Sequence, residues 1–178
     1  MKQSFLKLMP FAIFISLALF LYKGLSLNPK ALPSVVVGKK IPEFSLPNLD
    51  VGQENLTQSV LPHHMFLLNV WASWCEACVE EQVFLMKLSQ ENIPIYGINY
   101  KDEPQAANRW LKEWGNPYQV CGMDQDGRFA MDLGVYGSPE TFLIDERGII
   151  LHRHTGILNQ AIWDSDFKPL MQNRGRLS

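Results

Sequence analysis

The segment Trp74-Cys75-Glu76-Ala77-Cys78 holds two cysteines three positions apart. That spacing suits two chemistries: a dithiol that cycles with its disulfide, or half of a tetrahedral zinc site. The flanking residues favour the first. Met65-Phe66-Leu67-Leu68-Asn69-Val70-Trp71 is a short, mostly apolar run of the kind that forms a buried strand. Beyond the cysteines, Val79, Val83, Met86 and Leu88 recur at roughly helical spacing, with Glu80, Glu81, Gln82 and Lys87 at polar positions. Cys75 therefore stands where a strand gives way to a helix, near orphan N–H groups that favour its thiolate. Cys78 lies one turn on, close enough to close a small disulfide. A zinc site would need two more ligands. Cys121 is the only other cysteine, and with His63, His64, His152 and His154 it gives no paired-ligand spacing.

In the redox reading Cys75 is the attacking, more exposed thiol, and Cys78 resolves the mixed disulfide. Glu76 sits between them, and Glu80 and Glu81 follow in the next turn. Negative charge there opposes the helix dipole's support of the thiolate. A less stabilised thiolate means a more stable disulfide, so these residues point to a reductant.

The elements that must hold this centre follow from pattern and punctuation. Residues 41–46 alternate as a short edge strand, with Pro42 unable to donate to a ladder. The strand at 65–71 and a helix from about 75 to 90 come next, then a second buried strand at 94–100. Pro104 and Gly115 bracket a helix. Residues 118–121 form a short strand, and Arg128 to Leu133 a helical turn stopped by Gly134. Two strands, 141–144 and 149–152, flank Asp145-Glu146-Arg147-Gly148, a hairpin signal. Residues 159–171 read as a terminal helix capped by Asn159. Strand-helix-strand units followed by a hairpin and a closing helix predict an α/β fold, a central mixed sheet flanked by helices. Cys121 falls in an apolar strand as a buried thiol. His152 and His154 share one solvated strand face, Asp124-Gln125-Asp126-Gly127 is a plain turn, and Trp110 and Trp114 serve packing.

The 178 residues are 47% apolar with a formal net charge of −2, enough for one packed core and without the basic field that nucleic acid demands. The first thirty residues stand apart. Lys2 and Lys7 precede an uncharged run from Leu8 to Tyr22, and Lys23 follows. Fifteen uncharged residues fit a signal-peptide core and fall a little short of the roughly 20 that span a bilayer. Snorkelling lysines lengthen the effective span. An uncleaved signal anchor is the favoured reading, with a cleaved signal peptide as the alternative. The expected organisation is an anchor or transmembrane segment at 1–27, a linker at 28–37, a folded domain at 38–172 and a tail at 173–178. Lysines ahead of the apolar run favour an N-inside orientation, which exports the domain to an oxidising compartment such as the bacterial periplasm.

Asn69-Val70-Trp71-Ala72-Ser73-Trp74-Cys75-Glu76-Ala77-Cys78 resembles the active-site segment of thioredoxin-like proteins. Three further stretches narrow the likeness: Tyr96 to Asp102, Trp114 to Gln119 and Leu133 to Asp145. With them the chain is similar to the membrane-anchored thiol:disulfide interchange proteins of cytochrome c maturation, the DsbE/CcmG family. The resemblance implies a thioredoxin-like fold, with Pro139 as the cis proline that faces the cysteines. It implies a substrate groove shaped by Trp74, Tyr136, Gly137 and Ser138 and lined by Glu140. It implies that Glu81 acts as base for Cys78, while Asn69 stands where many thioredoxin-like proteins carry a proton-shuttling Asp. Glu76 departs from the family, which commonly has Pro there. The implied activity is protein-disulfide reduction on apocytochrome c or other cytochrome c maturation proteins, without a cofactor or metal. A membrane thiol reductase supplies the electrons. A general periplasmic oxidase or isomerase, and a non-enzymatic thioredoxin-fold chaperone, are the competing readings.

Overall fold

The computed structural model describes residues 2–26 and 36–174, with side chains described at 9–11, 13–23 and 36–172. Most of the expected linker and the last residues of the expected tail lie outside the described residues. The chain forms two units, Met1–Pro33 and Ser34–Ser178.

The described residues of the first unit form one helix, α1, Lys2–Ser26. Its described large apolar side chains, from Met9 to Tyr22, are all between 42% and 75% exposed. They point outward on every side, unlike the single apolar stripe of a helix packed on a globular core. Among the described residues, no helix is long and apolar enough to cross a membrane.

The second unit is built on β3, Phe66–Trp71, in which every residue is buried. Alternation sends Phe66, Leu68 and Val70 into one apolar cluster and Leu67 and Trp71 into another, so the strand is covered on both faces. β4 (Ile95–Tyr100) pairs with it in parallel, and β6 (Glu140–Ile144) pairs antiparallel. With β5 (Val120–Asp124) and β7 (Ile150–Thr155) the order is β5-β4-β3-β6-β7. The mixed sheet with its antiparallel hairpin edge is the expected one.

Helices cover the sheet. α2 (Glu76–Gln90) and α3 (Pro104–Trp114) bury Leu85, Leu88, Ala107 and Leu111 in the cluster of Leu67 and Trp71. The chain closes with α5 (Gln160–Ile162), a π-turn (Trp163–Phe167) and α6 (Lys168–Arg174). Asn159 Oδ1 accepts from Ile162 N–H at 3.1 Å, as expected of the cap. The opposite face takes Phe129 and Leu133, from α4 (Arg128–Asp132) and its C-terminal cap.

The strand expected at 41–46 is a correction. Only Ser45–Leu46 (β1) is extended and paired, with Leu56–Thr57 (β2), in a separate two-stranded sheet. The segment is shared between two sheet edges. Ile41 N–H bonds to Gly148 O beside β7, whereas Leu49 N–H and Met123 N–H bond to Cys121 O and Pro47 O along β5. The segment crosses from one edge to the other, pairing with the start of β7 and with β5, so each edge of the main sheet is covered in part.

Candidate active site

Cys75 is the N-cap of α2, in an extended conformation, and its Sγ accepts from Cys78 N–H at 3.1 Å. The two cysteines form a disulfide with Cα atoms 5.3 Å apart. Cys75 is the more exposed of the pair, but only at 5% against 2%. The N–H that caps Cys75 in this state is the group that would stabilise its thiolate once the bond is reduced.

The approach to Cys75 is clamped to the turn after β4. Asp102 accepts from Ser73 N–H and from Ser73 Oγ–H, and also from Asn99 Nδ2 and Glu103 N–H. Trp74 donates its indole N–H to Lys101 O at 3.0 Å, leaving the ring 57% exposed beside the disulfide. This role of Asp102 is not legible in the sequence, because it depends on two loops meeting rather than on local spacing.

Pro139 follows a cis Ser138–Pro139 bond. The register Val70↔Glu140 places it at the end of β3 from which the cysteine segment departs. Tyr136 is 84% exposed, and its ring stacks 4.8 Å from the Arg153 guanidinium. Space is open around Gly137, and Ser138 is half-buried with its Oγ enclosed. Tyr136 and Gly137 leave an open ledge just ahead of Pro139, which is itself buried.

Glu140 does not line that ledge, which corrects the expectation. It is fully buried. One oxygen accepts from Tyr136 N–H at 2.8 Å; the other lies 2.9 Å from Arg153 Nε and 2.7 Å from its Nη2. Burial holds its carboxyl above the usual range, against the pull of Arg153 and the N–H bonds. Glu140 braces the Tyr136–Pro139 loop from below.

Glu81 is buried as well, at 1% exposure, and not on the helix surface. Its carboxylate accepts from Asn69 Nδ2 (3.0 Å), Leu158 N–H (2.8 Å) and Thr141 Oγ (3.4 Å). Burial outweighs these three bonds and pushes its pKa from 4.5 up to about 7. Such a group takes and gives a proton near neutrality. It also carries less than a full charge there, so Glu76 and Glu80, both exposed, supply most of the negative field at the start of α2. Asn69, Thr141 and Tyr118, whose hydroxyl donates to Asn69 Oδ1 at 2.8 Å, complete a buried network on which Glu81 depends. An asparagine inside an apolar strand was the one signal of it in the sequence.

The remaining side chains take ordinary places. Cys121 is a buried free thiol whose pKa burial pushes to about 12. Asp124 lies in β5 and caps α4 by accepting from Phe129 and Ala130 N–H, a firmer role than a plain turn. His152 is within 3.7 Å of Asp166.

A family model described as Redoxin matches residues 36–168. The chain is 45% identical to the thiol:disulfide interchange protein DsbE of Pseudomonas aeruginosa, over 97% of this chain and 95% of that one. It is 45% identical to the DsbE of Escherichia coli strain K12, over 97% and 96%. This chain belongs to the DsbE family of thiol:disulfide interchange proteins. Among solved structures, a thiol-disulfide oxidoreductase from Bacteroides fragilis superposes with a TM-score of 0.63 at 26% identity, covering 74% of this chain and 99% of its own. The DsbE-family membership and the Cys75–Cys78 disulfide at the head of α2 together make the protein a thiol:disulfide oxidoreductase with a thioredoxin-like fold.

Proposed function

We propose that the protein is a membrane-tethered reductant of the periplasm that opens disulfides of apocytochrome c, or mixed disulfides to it, before haem attachment. The observation that carries the direction of electron flow is the pair of exposed carboxylates, Glu76 and Glu80, beside the disulfide at the start of α2. They weaken the thiolate and so stabilise the oxidised centre. The tether rests on the outward-facing apolar side chains of α1, and the compartment on the lysines that precede them. The substrate rests on the resemblance to proteins of cytochrome c maturation.

In this reading the Cys75 thiolate attacks one sulfur of a substrate disulfide. A Cys75–substrate bond forms and one substrate thiolate leaves. Glu81 accepts the proton of Cys78, whose sulfur then attacks Cys75 Sγ. The Cys75–Cys78 bond forms and the second substrate thiolate leaves, so two electrons have passed to the substrate. A membrane dithiol donor returns the centre to its reduced state. Trp74, Tyr136, Gly137 and Ser138 hold the substrate chain along the Pro139 edge.

A Cys78→Ser variant tests the substrate class. Without the resolving thiol the Cys75 mixed disulfide accumulates, and mass spectrometry of the trapped species should give peptides containing a haem-binding cysteine pair. Capture of unrelated periplasmic proteins would indicate a general oxidase or isomerase. Absence of any covalent partner would indicate a non-enzymatic chaperone.

A further inference from the structure

Asn69 is buried in the middle of β3, and every polar atom of its amide is used. Nδ2 donates to Glu81 Oε2 at 3.0 Å and to Thr141 Oγ at 2.9 Å, and Oδ1 accepts from Tyr118 O–H at 2.8 Å. The amide has two ends of opposite sense. Rotated by half a turn, it would set Oδ1 against the Glu81 carboxylate, an arrangement only a protonated Glu81 tolerates. Tyr118 can reach Asn69 because its neighbour across the sheet is Gly97. A Cβ on Gly97 would stand 2.9 Å from the Tyr118 ring. The ring is stacked on Trp71 at 5.5 Å and is itself buried.

We propose that Tyr118 is a positioning residue for the resolving step, its hydroxyl fixing the Asn69 amide so that Nδ2 faces Glu81 and Glu81 stays able to accept the Cys78 proton. This rests on the proton-acceptor role given to Glu81 above. Tyr118 is suited to it because burial holds its hydroxyl well above the usual 10, so it remains a donor across the working pH range. The groups that face Glu81 are otherwise neutral donors from three segments: Asn69 of β3, Thr141 of β6 and Leu158 N–H ahead of α5. Cys78 lies one turn back on α2, and His154 of β7 stands opposite Thr141. Without the hydroxyl, Asn69 turns freely, the protonated acid gains an acceptor, and the carboxylate loses a donor.

The test is a carbon-13 carboxyl titration of Glu81 in the reduced full chain, with and without Tyr118→Phe. The titration midpoint should rise by about half a pH unit or more, and resolution of the Cys75–glutathione mixed disulfide at pH 7 should slow by about twofold or more. In a Glu81→Gln background, Tyr118→Phe should leave the resolution rate unchanged, which loss of packing alone would not predict. An unmoved midpoint in folded Tyr118→Phe, or an equal slowing in both backgrounds, overturns the proposal. Should the variant not fold, the wild-type Asn69 amide protons decide. Nuclear Overhauser contacts to Thr141 support the proposal, and contacts to the Tyr118 ring protons overturn it. A wild-type chain that exchanges no disulfide would sink the reductase reading while leaving the carboxyl titration interpretable.

Discussion

In the proposed mechanism Glu81 takes the proton of Cys78, and its ionisation also leaves a mark on stability. Its carboxyl titrates at about 7 in the fold and near 4.5 when unfolded. The folded state therefore holds a proton between those values that the unfolded state has released. Its contribution to stability is complete below pH 4.5 and is lost as pH rises through 7. A shift of this size corresponds to about 3 kcal/mol. Glu81→Gln removes the effect, so the stability difference between variant and wild type should move by about 3 kcal/mol in the variant's favour from pH 4 to pH 8. Denaturant titrations at the two values would show it, and a flat difference would contradict the buried, hydrogen-bonded state of Glu81. Single residues were unevenly legible in the sequence. The cysteines stood out by type and spacing, and Pro139 only through the family resemblance. Glu140 and Glu81 look alike as charged residues near an active site, and only tertiary packing shows both to be buried, one bracing a loop and one facing the network of Asn69.

At the scale of elements, the clamp between the Ser73–Trp74 segment and the turn after β4 fixes where Cys75 can go. Asp102 takes four donors there. Asp102→Ala leaves the buried Asn99 amide without this acceptor and removes the bonds to the half-buried Ser73 and to Glu103 N–H, at a cost of about 1–3 kcal/mol. Denaturant unfolding should register that loss, together with a changed Trp74 emission as the indole is released. A loss below about 0.5 kcal/mol, the scatter of ordinary surface substitutions, would show that the loops hold without it. Apolar runs and hairpin punctuation carried the five main strands, because β3, β4 and β6 are buried on both faces and are mostly apolar, with only a few polar residues such as Asn69, Asn99 and Thr141 among them. β1 was read too long, as 41–46, and β2 did not emerge, since a two-residue strand is too short to show a period of its own. The terminal helix was legible from the Asn159 cap, but its π-turn was not. There Trp163 and Phe167 stack at 5.9 Å and both are buried, a packing arrangement that periodicity does not encode.

The whole molecule joins a redox domain to an outward-facing apolar helix, and the proposed function needs both. If α1 is an anchor, the full chain should stay with the membrane pellet after alkaline carbonate extraction; release to the supernatant would contradict the tether. The direction of electron flow decides the account. Exposed Glu76 and Glu80 near the start of α2 predict a thiolate that is weakly held and a disulfide that resists reduction. Equilibrating the full chain with glutathione buffers measures this balance directly. The expected potential lies well below the about −120 mV of a strong oxidant and towards the about −270 mV of thioredoxin. A value at or above about −120 mV would contradict a reductant and make the Cys75–Cys78 centre a donor of disulfides instead.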